Sequence, residues 1–305
     1  MFTSTRRKPM DKEQLAIARL QDAARLSEHR YKRPLMVTYS GGKDSQVLVA
    51  LAERAGINFE VVNSHTTADA PETVYFIRDR FKELEERGIK CTIIMPTYKG
   101  KPVSMWTLIP QKLVTPTRIM RYCCAVLKET TGHNRFIATG VRWAESTQRK
   151  LNRGIMEINH RDKEKRIVMM ADNSEKRQLF ETCAIKGKMT VNPIIDWSDE
   201  DVWDYMNAER LSVNPLYCEG QKRVGCVGCP MAGRGGDNAS LFAGLRMKKC
   251  IFQHLTGWWR LENSASRTEE RYSRTTGKQG ETFFIGGLRM AYFPDRSVLM
   301  ILRRP

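Results

Sequence analysis

Two groups of residues in this sequence are equipped for chemistry. The first is Ser40-Gly41-Gly42-Lys43-Asp44-Ser45, two glycines beside a lysine, with a serine at either end. Glycines let backbone N–H groups come close to a phosphate, a helix opening there would add its positive end, and Lys43 would supply fixed positive charge. Asp44 is a carboxylate suited to Mg2+ if the ligand is ATP. The G-x-x-x-x-G-K-[ST] phosphate loop is not met, because the glycine spacing differs and Asp44 follows Lys43. The second group is Cys123-Cys124 with Cys226-Val227-Gly228-Cys229, two thiol pairs about a hundred residues apart, with Arg118, Arg121, Lys128 and Arg223 nearby in sequence. Four thiolates suit Zn2+ or an iron–sulfur cluster, and cations would stabilise the negative charge of such a site. The adjacent pair is an awkward chelate for tetrahedral zinc.

These residues need a scaffold, and the hydrophobic pattern supplies one. Asp11 to Arg30 carries apolar residues at helical spacing, and Pro34 to Tyr39 reads as a short buried strand leading into the glycine turn and a helix over Gln46 to Ala55. Asn58 to Val62 and Cys91 to Met95 read as strands around a helix over Pro71 to Arg87 that Gly88 stops, and Phe136 to Val141 as a further strand. The alternation predicts an α/β fold, a doubly wound, mostly parallel sheet with helices on both faces. Asn152 to Lys176 is polar and poorly periodic, which predicts a long exposed connection. A helix over Asp199 to Asn207 follows, N-capped by Ser198. Leu241 to Trp259 reads as helical, and Thr282 to Ile285 and Val298 to Leu302 as strands.

The chain has 305 residues, 41% hydrophobic and 28% charged, which excludes a disordered or collagen-like polymer. We expect three parts: an N-terminal helix over 1–30, a nucleotide-binding domain with a thiol site over 31–230, and a basic α+β extension over 231–305. The formal net charge of +17 attracts polyanions. Residues 231–305 hold 13 Lys plus Arg against 6 Asp plus Glu, interleaved with Trp258, Trp259, Tyr272 and Tyr292, a pattern suited to phosphates and stacked bases. No apolar run of about 18 residues occurs, and no apolar stretch follows the basic N-terminus, so a cytoplasmic protein without a membrane span is expected. Eight cysteines there point to thiol or metal chemistry, not to a disulfide framework.

The hexapeptide in this context resembles the signature of the PP-loop ATP pyrophosphatases, and four downstream segments narrow the resemblance to the phosphoadenylyl-sulfate and adenylyl-sulfate reductase branch. Ser64-His65-Thr66-Thr67-Ala68-Asp69-Ala70-Pro71-Glu72-Thr73 is similar to that branch's turn ending in P-E-T, and Gly140 to Arg149 to its G-x-R-x-x-x-S-x-x-R segment. Asn192 to Trp197 with Asp201-Val202-Trp203, and Asn214-Pro215-Leu216-Tyr217, resemble its N-P-x-x-x-W … D-V-W and N-P-L-Y segments. The resemblance implies nucleotide binding by Ser40, Gly41, Gly42, Lys43, Asp44, Ser45, His65, Thr66 and Gly140. It also implies catalytic roles for Lys43, Asp44, Arg142 and Arg149, the arginines acting as guanidinium forks for phosphate or sulfate. The C-C … C-x-x-C arrangement is similar to that of the cluster-bearing adenylyl-sulfate reductases and implies a [4Fe–4S] cluster on Cys123, Cys124, Cys226 and Cys229.

The sequence also departs from the reductases. Their E-C-G-[IL]-H motif is absent, and the last cysteine, Cys250, precedes Ile251-Phe252-Gln253-His254-Leu255. Another branch that this chain resembles, the ATP pyrophosphatases of DNA phosphorothioation, needs no such thiol. We therefore expect an enzyme that splits ATP, with Mg2+, into AMP and pyrophosphate while adenylating a nucleic acid, DNA before RNA, for sulfur delivered by a cysteine desulfurase or other persulfide donor. Two alternatives stay open: a sulfonucleotide reductase forming sulfite, and a non-catalytic nucleotide-binding redox sensor. Cys218 is a minor candidate for a sulfur carrier.

Overall fold

The computed structural model describes residues 9–112, 116–117, 119–159, 166–172, 188–227, 229 and 231, and the backbone of strands within 276–302. Its centre is a seven-stranded sheet in the order β3-β2-β1-β6-β9-β7-β8. The strands are β1 (Leu35–Thr38), β2 (Phe59–Ser64), β3 (Cys91–Ile94), β6 (Phe136–Ala138), β7 (Met156–Asn159), β8 (Ile167–Met169) and β9 (Lys188–Val191), with a small hairpin of β4 (Thr97–Tyr98) and β5 (Lys101–Pro102) to one side. From β3 to β9 the pairing is parallel, and β7 and β8 close the edge antiparallel. The expected mostly parallel α/β sheet is present.

Alternation along the strands divides the core between the two faces of the sheet. Leu35, Val37, Val61, Phe136 and Ala138 join the main core, whereas Met36, Val62 and Ile137 form a smaller cluster. The main core receives α1 (Pro9–Tyr31) through Ala16, Leu20, Ala23 and Ala24, and α2 (Lys43–Arg54) through Val47, Leu48 and Leu51. Helix α3 (Pro71–Glu86) adds Ile77, Phe81 and Leu84, and α7 (Asp199–Ala208) adds Val202, Tyr205 and Met206. Each fully buried Leu or Phe side chain is worth about 1.5–3 kcal/mol, so this layer is what holds α2 against the sheet. Gly132 backs the smaller cluster, where an added Cβ would lie 2.1 Å from Ile137. Short helices α4 (Met105–Lys112), α5 (Tyr122–Leu127), α6 (Thr147–Asn152) and α8 (Pro215–Cys218) complete the described part.

Two expectations need correction. The stretch expected to be an exposed connection contains β7 and β8, because Ile155, Met156 and Ile158 are buried and pair across to Ile167 and Met169; the charged composition belongs to the residues between the strands. Strand β9 was not expected, although Lys188-Met189-Thr190-Val191 alternates polar and apolar residues; four residues are a weak signal, and it sits between β6 and β7. A buried arginine ties this region to α1: Arg19 reaches both oxygens of Asp172 at 2.8 Å, Asp196 at 3.0 Å and the Pro193 carbonyl at 2.8 Å. Residues 276–302 contain a four-stranded antiparallel sheet of β10 (Thr276–Gly277), β11 (Gly280–Ile285), β12 (Leu288–Phe293) and β13 (Val298–Leu302), of which β10 and β12 were not expected. The expected helix over Leu241 to Trp259 lies outside the described residues. Among the described residues no helix is long and apolar enough to cross a membrane.

Candidate functional site

Strands β1 and β6 are neighbours whose chains leave in opposite directions across the sheet, β1 towards β2 and β6 towards β7 and β9. A crevice at the carboxyl ends of such strands is where open α/β sheets bind ligands. The glycine hexapeptide follows β1 and the Gly140 to Arg149 segment follows β6, so both lie there. Gly41 has φ +73°, a left-handed conformation that a side chain would strain, and an added Cβ would meet Ile77 at 3.0 Å and Thr73 at 3.1 Å. The buried Asn214 donates to the Gly41 carbonyl at 3.0 Å and to Thr73 Oγ1 at 3.2 Å, and the Lys43 N–H donates to the Tyr217 hydroxyl at 3.1 Å. The N-P-L-Y segment thus braces the loop from outside. Inside it, the Ser45 hydroxyl donates to the Gly42 carbonyl at 2.8 Å and receives the Ser40 N–H at 3.2 Å. Helix α2 begins at Lys43 with Gly42 as an N-cap that contributes no side chain, which leaves the Asp44 and Ser45 amides to a ligand or solvent, the Lys43 amide being taken by Tyr217.

Four charged side chains meet beside this loop. Arg142, only 1% exposed, donates from Nε to Asp44 at 2.7 Å, from Nη2 to Asp199 at 2.6 Å and from Nη1 to the Trp197 carbonyl at 3.2 Å. Lys43 Nζ lies 3.0 Å from the same Asp199 oxygen and 3.8 Å from Asp44. Burial works against the Asp199 charge, but hydrogen bonds from Lys43 and Arg142 outweigh it and hold this carboxyl below the usual carboxylate range. Glu145 accepts the Arg142 N–H at 3.1 Å, pairs with Arg149 and lies 3.6 Å from Arg223. Burial, with Arg223 and Arg153 behind it, pulls Arg149 below the usual arginine range against the opposing Glu145. Gly140 backs onto Asp44, whose carbonyl would lie 3.1 Å from an added Cβ.

The cysteine pairs come into one neighbourhood. Cys226 forms an antiparallel bridge with Asp69, its thiol lies 3.4 Å from Thr66 Oγ1, and the Val227 N–H donates to the Ala68 carbonyl at 2.7 Å. Burial, then the nearby Cys124 and Cys226, pushes the Cys123 thiol up to about 11. Arg121 donates to Cys124 Sγ at 3.6 Å and feels Cys229, while Lys128 bonds Cys226 and feels Asp69 and Cys124. Four soft donors ringed by two cations fit a sulfur-ligated cluster chemically. Their convergence is incomplete: among the described residues no three His, Cys, Asp or Glu side chains gather where a metal ion would sit. One short segment joins the two centres, since Thr66 and Asp69 contact Cys226 while Thr73 shares Asn214 with Gly41.

Comparison with known proteins gives the family. The phosphoadenosine phosphosulfate reductase domain matches residues 34–232. The chain belongs to that family. This reductase-family domain is 26% identical over 219 residues to uncharacterized protein MJ0066 of Methanocaldococcus jannaschii, covering 68% of this chain and 38% of that one. It is 28% identical over 202 residues to sulfate adenylyltransferase subunit 2 of a Bradyrhizobium strain, covering 64% and 59%. The chain spans about two fifths of the length of the curated relatives it matches first. Among solved structures, phosphoadenylyl-sulfate reductase from Candida auris in a phosphate complex superposes with a TM-score of 0.43 at 14% identity, covering 74% of this chain and 97% of that one.

Within this family domain, Ser40, Gly41, Gly42, Lys43, Asp44, Ser45, Gly140 and Arg142 form one contiguous group, and Arg149 joins it through Glu145. Thr66 is buried against Cys226 and so belongs to the thiol side of the site, and His65 is fixed by its N–H to the Ile94 carbonyl at 3.0 Å. Cys218 is exposed, next to the loop-bracing Tyr217. Sequence reasoning missed Asp199, whose two cation partners are distant in sequence, and gave Asn214 and Tyr217 no role. For those two the N-P-L-Y segment was itself the signal; for Asp199 there was only its place at the start of a capped helix.

Proposed function

We propose that this protein is an ATP pyrophosphatase that adenylates a phosphate oxygen of a nucleic acid, DNA foremost, to prepare it for sulfur insertion. A phosphate oxygen is a poor leaving group. Attack by that oxygen on the α-phosphorus of ATP breaks the bond to pyrophosphate, which departs with the bonding pair. The outer sulfur of a persulfide donor then attacks the polymer's phosphorus and AMP leaves with the activated oxygen; a second thiol of the donor attacks the inner sulfur, so the S–S bond breaks, the phosphorothioate keeps the bonding pair and the donor is left as a disulfide. In this reading the amides at the start of α2 and the Lys43 ammonium bind the departing phosphates, and Arg142 fixes Asp44. Mg2+ bound through Asp44 and the phosphates would neutralise pyrophosphate as it leaves. Cys123, Cys124, Cys226 and Cys229 would hold a [4Fe–4S] cluster, which supplies a site for sulfur or electrons. Residues 231–305 would serve as the basic surface for the polymer.

The observation that supports this most is the Thr66–Thr73 segment, which touches the thiol pair at one end and the glycine loop at the other. The likeness to a sulfate adenylyltransferase subunit favours adenylyl transfer. The family match itself favours a second reading, reduction of a sulfonucleotide to sulfite. The test is to incubate the protein anaerobically with ATP, Mg2+, a cysteine desulfurase and cysteine, with DNA or RNA as acceptor, then digest and analyse by mass spectrometry. Phosphorothioate linkages in DNA are expected; thiolated bases in RNA alone, or no sulfur in either polymer, would overturn the choice of acceptor.

A further inference from the structure

The cations of the glycine site are already neutralised by the protein's own carboxylates. Asp199 Oδ1 sits 3.0 Å from Lys43 Nζ and 2.6 Å from Arg142 Nη2, so one oxygen bridges both charges much as a phosphate oxygen would. The cations are enclosed, with side chains 8% and 1% exposed, whereas the Asp199 side chain is 67% exposed. All three donor nitrogens of Arg142 are occupied, by Asp44, Asp199 and the Trp197 carbonyl. The more exposed carboxylate, Asp199, stands where an incoming anion would bridge both cations.

We propose that Asp199 is a displaceable counter-anion, an internal competitor that holds Lys43 and Arg142 in place when no nucleotide is bound and gives way to a phosphate group when one arrives. The inference rests on the nucleotide-binding reading above and adds to it a residue which that reading does not use. Its physical basis is an exchange. Two enclosed cations without a counter-charge would be costly, so the site keeps one of its own. A solvent-facing carboxylate can be replaced by a doubly charged phosphate at small net cost, whereas Asp44, within the loop and less exposed, stays as the fixed partner of Arg142. Asp199 opens α7, where the Ser198–Asp201 capping box anchors the helix independently, so its side chain can leave without unwinding the turn.

The test measures equilibrium binding of pyrophosphate and of ATP without divalent ions, using the whole protein and its Asp199→Asn and Asp199→Ala variants. Thermal unfolding is recorded with and without pyrophosphate. Removing the competitor is expected to tighten both ligands by about tenfold, the equivalent of about 1.4 kcal/mol. The ligand-free Tm should fall while the ligand-induced rise in Tm grows, opposite signs that a merely structural role would not give. Binding unchanged or weakened in both variants, with the wild type binding normally, overturns the displacement proposal alone. Absence of binding in all three proteins overturns the nucleotide reading and this inference with it. Binding confined to the variants supports displacement in its strongest form.

Discussion

At the scale of single residues, Lys43 and Arg142 carry the proposed chemistry in different ways. Lys43 stands at the helix start, its ammonium able to meet phosphate oxygens once Asp199 yields, whereas Arg142 works through Asp44. Lys43→Ala should lower kcat/KM for pyrophosphate release from ATP by about a hundredfold, since a lost electrostatic donor at a developing charge costs about 10²–10³. Circular dichroism should remain unchanged, and equal loss of structure and activity would contradict the assignment. The two loop glycines offer a second comparison. Gly41→Ala, at φ +73° and against Ile77, should destabilise by about 1–2 kcal/mol in urea denaturation. Gly42→Ala should cost less, because its φ is −93° and the nearest neighbour to an added Cβ is the Tyr217 hydroxyl at 3.5 Å. A larger loss at Gly42 would show that the loop is not held as described. These loop residues were legible in the sequence because composition alone marks them: few contexts need Gly-Gly-Lys-Asp after an apolar strand. Asp199 was not legible, because its meaning comes from two partners brought to it by the fold.

At the scale of elements, α7 is a structural hinge-pin between α1 and the site. Asp201 closes the capping box by accepting the Ser198 N–H at 2.6 Å and also pairs with Lys12 of α1 at 2.5 Å. Burial opposes its charge, but Lys12 and the Ser198 N–H outweigh that and depress its pKa below 3.8. A carboxylate with a depressed folded-state pKa contributes stability that is complete above its unfolded value and fades as pH falls through the folded one. Asp201→Asn should therefore lower stability near neutral pH by about 1 kcal/mol and flatten the acid limb of the Tm profile below pH 3.8. A parallel downward shift at all pH values would contradict the ionic part of this account. The Ser198 cap, the four longest described helices and the parallel strands other than β9 could be read from pattern and capping chemistry. Strands β7, β8 and β9 could not: their pairing depends on tertiary contacts such as the buried Asn192, which donates to the Gly154 carbonyl at 2.7 Å and to Glu157 at 3.1 Å.

At the scale of the whole molecule, the sheet order brings two sequence-distant cysteine pairs to the strand end that also carries the glycine loop. The sequence motifs named the pairs but gave no hint of Thr66, Asp69 and Lys128 as their neighbours, which only the fold of the β2–α3 connection assembles. If these thiols hold a [4Fe–4S] cluster, anaerobic reconstitution should load about four irons per chain with broad visible absorption, and Cys123→Ser or Cys226→Ser should abolish it. Full iron retention in both variants would remove these cysteines from the ligand set. The most direct measurement of the central claim offers anaerobically reconstituted protein two substrates in parallel, ATP with Mg2+ and adenylyl sulfate with a thiol reductant, each with and without DNA. Pyrophosphate and AMP released in equal amounts from ATP, faster with DNA and a persulfide donor, and no sulfite, is the predicted result. Sulfite from adenylyl sulfate with ATP left intact would contradict it.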